Sequence, residues 1–199
     1  AFKDDILSIR KYDGWVKYSV DDYYRISHHL AYGLLASGFQ AGDRVIIITQ
    51  NRPEWNFLDM ALALAHMVSI PVYPTLSKED YKHILTHSEA RAVFIGNEKI
   101  FRQVGPVVDE ISPRPEVFTV NPIEGQRNWE EILKLGEEKA SEFAPVIEEN
   151  KKNIRPEEMC TIIYTSGTTA APKGVMLSHI GLVVNAIGHA NMEIKNHTH

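Results

Sequence analysis

The residues of this 199-residue chain with the most chemical character stand together in Tyr164-Thr165-Ser166-Gly167-Thr168-Thr169-Ala170-Ala171-Pro172-Lys173-Gly174. Glycine accepts unusual backbone angles and adds no side chain, so a strand running into such a segment can aim N–H groups at an anion. Thr165, Ser166, Thr168 and Thr169 add hydroxyl donors, Lys173 adds a point charge suited to phosphate oxygens, and Pro172 stiffens the exit. The chemistry predicted is polyphosphate binding. Clusters of Ser, Thr, Gly and Pro are also ordinary loop chemistry. Two features separate this one: an apolar strand, Thr161 to Thr165, precedes it, and a second short strand, Val175-Met176-Leu177, follows. Lys173 precedes Gly174-Val175 and not the start of a helix, so the segment is not a P-loop and a kinase or GTPase loses support.

The elements that must position this loop read as alternating strands and helices. Val45-Ile46-Ile47-Ile48-Thr49 is a β-branched run with the pattern of a buried strand. Pro53-Glu54 opens an apolar helix to about Met67, Ser69 to Tyr73 is the next strand, and Ser77 caps a helix to about His87. Ala92 to Ile95 is a strand, followed by a helix from Glu98 to Ile111, a strand from Val117 to Val120 and a helix from Trp129 to Lys139. An amphipathic helix, Val20 to Ser37, comes first and is closed by Gly38. The succession predicts an α/β fold with mainly parallel sheets flanked by helices. Ser141 to Glu158 is polar, with Pro145 and Pro156, and reads as a linker or surface excursion. The expected organisation is a first α/β subdomain over 1–140, this connection over 141–158, and the start of a second α/β subdomain over 159–199.

Tyr164 to Val175 resembles the signature loop of the adenylate-forming, or AMP-binding, superfamily. The family pattern is Tyr/Phe-Thr-Ser-Gly-Thr-Thr-Gly-x-Pro-Lys-Gly-Val, and the chain departs from it at one position, Ala170 in place of glycine. Upstream, Gly42-Asp43-Arg44-Val45, Asn51-Arg52-Pro53-Glu54-Trp55 and Val68-Ser69-Ile70-Pro71-Val72-Tyr73-Pro74-Thr75 are similar to landmarks of long-chain fatty acyl-CoA synthetases. Met159-Cys160-Thr161-Ile162-Ile163 and Met176-Leu177-Ser178-His179 share that similarity.

The resemblance implies the large N-terminal domain of such an enzyme. It also implies a reaction in which a carboxylate attacks the α-phosphate of ATP and CoA thiol then displaces AMP to form a thioester. Carried over by position, Thr165, Ser166, Gly167, Thr168, Thr169, Lys173 and Gly174 would cradle the phosphates. Lys173 and Thr168 would act in catalysis, with Thr168, or else Thr165, reaching Mg²⁺. His179 would border the substrate. ATP, a long-chain fatty acid and CoA are the implied small-molecule partners. The family's magnesium-binding Glu, ribose-binding Asp and C-terminal lysine have no counterpart here, so a fragment inactive alone is expected. Aryl, short-chain or amino-acid adenylation, and a catalytically silent nucleotide-binding module, are the alternatives.

Other candidates carry less. His83 and His87 share a helix face at i, i+4 spacing, but no third metal ligand is evident nearby in sequence. His28 and His29 point to different sides of their helix. Trp15, Trp55 and Trp129 read as core or packing residues. The lone Cys160 sits in an apolar run, excludes an internal disulfide framework and suits a reducing compartment. A net charge of -5 gives no footprint for nucleic acid, and none is expected as a partner. The most apolar stretch, Met60 to Val72, is too short to span a bilayer, and no basic, apolar leader opens the chain. The expected setting is cytoplasmic, with peripheral attachment to a membrane left open.

Overall fold

Val45 to Ile48, all β-branched and all fully buried, form the centre of the sheet, and the rest of the chain is arranged around them. The computed structural model describes residues 5–11, 14–165 and 171–196. A small antiparallel hairpin, β1 (Leu7–Lys11) and β2 (Gly14–Tyr18), precedes helix α1 (Val20–Ala36). Then follow β3 (Arg44–Ile48), α2 (Pro53–Leu64), β4 (Val68–Val72), α3 (Lys78–Ser88), β5 (Ala92–Ile95), α4 (Glu98–Val108) and β6 (Glu116–Thr119). The chain continues through α5 (Trp129–Glu138), α6 (Ala140–Asn153), β7 (Met159–Thr165), β8 (Lys173–Ser178) and α7 (His179–Asn196). The main sheet has six strands in the order β6-β5-β3-β4-β7-β8; every pairing is parallel except the antiparallel β7–β8 edge.

Strand residues alternate faces, and the two faces collect different helices. Val45 and Ile47 join Phe94 and Phe118 under α1, α2, α5 and α6, with Leu30, Phe57 and Ile132 among the helix residues they meet. Ile46 and Ile48 join Val93 and Ile95 under α3 and α4, where Tyr81, Ile84 and Val104 close the second core. This is the α/β architecture, helices on both faces of a mostly parallel sheet, that the strand–helix alternation predicts.

Helix ends are set by specific contacts. α1 begins with a full capping box, Ser19 accepting from the Asp22 N–H while the Asp22 carboxylate accepts from Ser19. It ends in a Schellman pair, Phe39 N–H to the Leu34 carbonyl and Gly38 N–H to Leu35, with Gly38 at φ +85°. α2 ends in the same motif, Met67 N–H to Leu62 and His66 N–H to Ala63, but the left-handed residue is His66 at φ +55°. Nothing in the residue types announces that stop, so the helix is shorter than the expected Glu54 to Met67. His66 is held there by its ring, Nε2 donating to the Asn150 carbonyl at 3.0 Å and Nδ1 lying 3.3 Å from the Glu158 carboxylate.

The polar stretch read as a linker or surface excursion is helical through Asn153. Its apolar stripe is narrow: Ile147 is fully buried and Phe143 and Ala144 pack beside it against the core under α1 and α2. Pro145 is accommodated inside the helix, so neither it nor the charged outer face breaks the element.

α1 and α5 cross at glycine. A Cβ on Gly33 would run into the Ile132 carbonyl, and one on Gly136 into the His29 carbonyl. Gly136→Ala is therefore expected to lower stability by about 1–3 kcal/mol through overpacking, measured as a shifted urea midpoint at unchanged slope. α1 also buries His28, whose Nδ1 donates to the Tyr24 carbonyl at 2.8 Å while Nε2 has no hydrogen-bond partner among the described residues.

Burial pushes the His28 imidazole below the ordinary histidine value, with the Tyr24 carbonyl opposing. The folded state thus prefers it neutral, and the unfolded chain binds the proton more readily. The corresponding stability is fully present above about pH 6.5 and is lost as the pH falls through the lowered folded value. Unfolding in urea between pH 7.5 and 5 should show this decline, and His28→Leu should flatten it.

Candidate active site

In open α/β sheets the crevice forms at the carboxyl ends of strands where the order reverses. Here β3 leads to β4 on one side, and the chain then returns to β5 on the other. At that end Thr49, Asn51, Trp55, Tyr73, Ile163 and Tyr164 border a cavity of about 260 Å³. A second space of about 550 Å³ is lined by Val72, Leu76, Asp80, Tyr164, Thr165 and Pro172, among others. Trp55 is thus half-buried at the crevice and Trp129 is in the core, while Trp15 is exposed on the β1–β2 hairpin.

The crest of the sheet is tied down by Arg52. Its guanidinium grips Glu54 with two hydrogen bonds, Nε–Oε2 at 2.8 Å and Nη2–Oε1 at 2.9 Å, and both side chains are almost buried. Nη1 reaches across the strand ends to the Gly96 carbonyl at 3.2 Å and the Asn121 amide oxygen at 3.0 Å. The start of α2 is thereby pinned to the ends of β5 and β6.

The loop predicted to bind phosphate spans the hairpin. Thr165 pairs directly with Lys173, so these two stand opposite each other at its base, both exposed. Ser166, Gly167, Thr168, Thr169 and Ala170 lie outside the described residues. Lys173 has no ion-pair partner among the described residues. Gly174 pairs with Tyr164, and a Cβ there would sit 2.9 Å from an Ile162 methyl and 3.3 Å from the Tyr164 ring. The glycine lets the tyrosine ring lie across the neighbouring strand. Burial raises the Tyr164 phenol above its usual value, with Arg44 opposing.

His83 and His87 lie beside this hairpin. The His83 Nε2 is 2.8 Å from the Pro172 carbonyl, which can only accept, so it donates. The His87 Nδ1 is 2.8 Å from the Tyr164 hydroxyl, and the two imidazoles are stacked 5.4 Å apart. Their i, i+4 spacing reveals a shared face; that this face meets the loop is decided by packing.

His179 is placed elsewhere. β8 runs antiparallel to β7, so Ser178 pairs with Met159 at the far end of the hairpin. Five steps of strand rise put that end about 17 Å from Lys173. There the His179 N–H donates to the Glu158 carbonyl at 3.1 Å. Burial pushes its imidazole down, as does nearby His66, with Glu158 opposing. The structure therefore brings Thr165, Lys173 and Gly174 together and leaves His179 apart from them.

Cys160 is buried, its Sγ 3.5 Å from the Leu177 carbonyl, and burial raises its thiol pKa, in keeping with a packing role. Among the described residues no group of three or more His, Cys, Asp or Glu could hold a metal ion, and no helix is long and apolar enough to cross a membrane.

The sheet with its terminal crevice and edge hairpin defines a doubly wound α/β protein. The chain belongs to the AMP-binding enzyme family, whose model matches residues 2–198. It is 32% identical over 168 residues to fatty acyl-CoA synthetase A of Dictyostelium discoideum, covering 81% of this chain and 25% of that protein. It is 33% identical over 153 residues to the long-chain-fatty-acid–CoA ligase FadD15 of Mycobacterium tuberculosis, with 77% and 25% covered. The chain thus spans about a quarter of the length of these relatives.

Among solved structures, a long-chain-fatty-acid-CoA ligase (FadD1) from Archaeoglobus fulgidus matches with a TM-score of 0.71 at 24% identity, over 87% of this chain and 32% of that one. The anthranilate CoA ligase AuaEII in complex with anthranoyl-AMP matches with a TM-score of 0.65 at 19% identity, over 82% and 30%. Both likenesses concern the fold. The family match, together with these relatives, places the chain in the adenylate-forming superfamily, among ligase-family sequences.

Proposed function

We propose that the protein to which this chain belongs activates a long-chain fatty acid with ATP and transfers the acyl group to CoA. The observation that carries the reading is the hairpin base, where Lys173 stands beside Thr165 without an ion-pair partner among the described residues, at the edge of the strand-end crevice. The similarity to long-chain acyl-CoA synthetases supports the choice of acid.

In the first step a carboxylate oxygen attacks the α-phosphorus and pyrophosphate leaves. In the second the CoA sulfur attacks the acyl carbon and AMP leaves. Lys173, Thr165 and the hydroxyls of Ser166, Thr168 and Thr169 would hold the departing phosphates, with backbone N–H groups around Gly167 and Gly174 completing the cradle. Mg²⁺ bound to the phosphates would neutralise their charge, with Thr168 its expected protein contact. These roles, and that of His179 toward the substrate, remain part of the proposal.

The division into a first subdomain over 1–140, a connection over 141–158 and a second subdomain from 159 belongs to the same proposal; β7 and β8 pair into the sheet of the first part, and the outward apolar residues Met176, Val183, Val184 and Ile187 leave a face that a further layer could cover. A cytoplasmic setting, with peripheral access to a membrane holding the fatty acid, fits the same reading.

The test is ATP–pyrophosphate exchange by the full-length gene product with a panel of carboxylic acids. Exchange stimulated by long fatty acids is expected. Exchange only with aryl or amino acids would move the assignment within the superfamily, and none with any acid would indicate a silent nucleotide-binding module.

A further inference from the structure

We propose that His83 and His87 are positioning residues that hold the two ends of the phosphate loop in shape before nucleotide arrives. This rests on the reading of the loop as the nucleotide site. The loop leaves the sheet after Tyr164-Thr165 and returns at Pro172-Lys173, and one imidazole engages each side. Four residues of helix rise about 6 Å, close to the roughly 4.8 Å between neighbouring strands. The i, i+4 pair on α3 therefore matches the separation of the two hairpin arms.

The carbonyl that His83 engages belongs to the same planar peptide unit as the Lys173 N–H. Fixing it sets the direction in which Lys173 leaves the loop. On the other arm, His87 meets Tyr164 through its hydroxyl and also through a T-shaped ring contact, with centroids 5.9 Å apart. That ring in turn crosses Gly174, the residue after Lys173.

The platform behind the histidines is rigid. Ser77 caps α3, Tyr81, Ile84 and Leu85 are buried against the sheet, and the Tyr81 hydroxyl donates to the Tyr73 carbonyl at 3.0 Å on the rim of the crevice. Ordering one loop residue costs roughly 1–2 kcal/mol of conformational entropy. The flanking residues Tyr164 and Pro172, held by a fixed helix, have already met their share of that cost, so more of the interaction with phosphate appears as affinity.

The test combines amide hydrogen exchange of the nucleotide-free chain with ATP titration calorimetry. His83→Ala is expected to speed exchange at 173–175 by about fivefold and to weaken ATP binding by a similar factor, the worth of about one hydrogen bond. His83→Gln, which keeps an N–H donor, should recover most of both. Tyr164→Phe, which removes the hydrogen bond but keeps the ring, should act in the same direction, His87→Ala should act at least as strongly, and their combination should be little worse than His87→Ala, because both remove the same hydrogen bond.

Should His83→Ala fail to fold, Tyr164→Phe decides by the same readouts. The clamp is overturned if folded variants leave exchange and affinity within about twofold of the parent, below one hydrogen bond's usual worth. It is equally overturned if exchange rises as much throughout 78–88, which would mean that the histidines only stabilise α3. Faster exchange at 173–175 in a chain whose parent form does not bind ATP would support the clamp and sink the nucleotide assignment.

Discussion

Replacing Arg52 by alanine is expected to cost about 3–5 kcal/mol of folding stability, the usual penalty for removing one partner of a buried ion pair. Glu54 would lose both guanidinium hydrogen bonds while remaining in the first turn of α2 with a side chain only 6% exposed. The Gly96 carbonyl and Asn121 side chain would lose a donor at the same time. Glu54→Ala should be similarly damaging because it leaves the cation behind.

The combination Arg52→Met with Glu54→Leu should recover much of the loss, since the desolvation of both charges disappears with them. Urea unfolding of Arg52→Met, Glu54→Leu and their combination closes this cycle. A loss under about 1 kcal/mol for Arg52→Ala, the range of an exposed pair, would mean that water reaches the pair and that the bracket is dispensable.

The second large effect concerns binding. Lys173→Ala should weaken ATP affinity by about 10- to 150-fold, corresponding to the roughly 1.5–3 kcal/mol of a hydrogen bond to a charged group. Folding stability should change little, because Lys173 is exposed and has no ion-pair partner among the described residues. Lys173→Arg should recover only part of the affinity, since a forked guanidinium does not occupy the position of a compact ammonium. Calorimetry at two salt concentrations would check this, with a shallower salt dependence expected once the cation is gone. An unchanged affinity in Lys173→Ala would remove the hairpin from the ATP site.

Where local chemistry decides, residue types and structure agree. The β-branched run Val45 to Ile48 is the central strand because such side chains pack well when both sheet faces are covered. Ser19 and Gly38 bound α1 because a hydroxyl cap and a left-handed glycine work through neighbouring backbone groups. α6 and the end of α2 differ for one reason. A four-residue stripe, Ala140, Phe143, Ala144 and Ile147, suffices to dock α6 only because α1 and α2 already present a core. His66 takes the left-handed position of a glycine because Asn150 and Glu158, far along the chain, engage its ring.

The segment from Tyr164 to Gly174 was chemically legible from residue types alone: hydroxyls, glycine, proline and a lysine between two apolar strands, with a resemblance that named the family. Side-chain chemistry and spacing are carried in the order of residues, so the sequence by itself determined the α/β succession and the superfamily, and it is the source of the phosphate-loop proposal. The tertiary structure alone decided that Thr165 faces Lys173, that His179 stands at the far end of β8, and that His83 and His87 reach the loop ends. Those relations depend on strand direction and on helix docking between segments about 80 residues apart, close to the sequence separations of 77 and 89 in the two histidine contacts. No local pattern encodes them, because their energy is released only when the sheet has assembled.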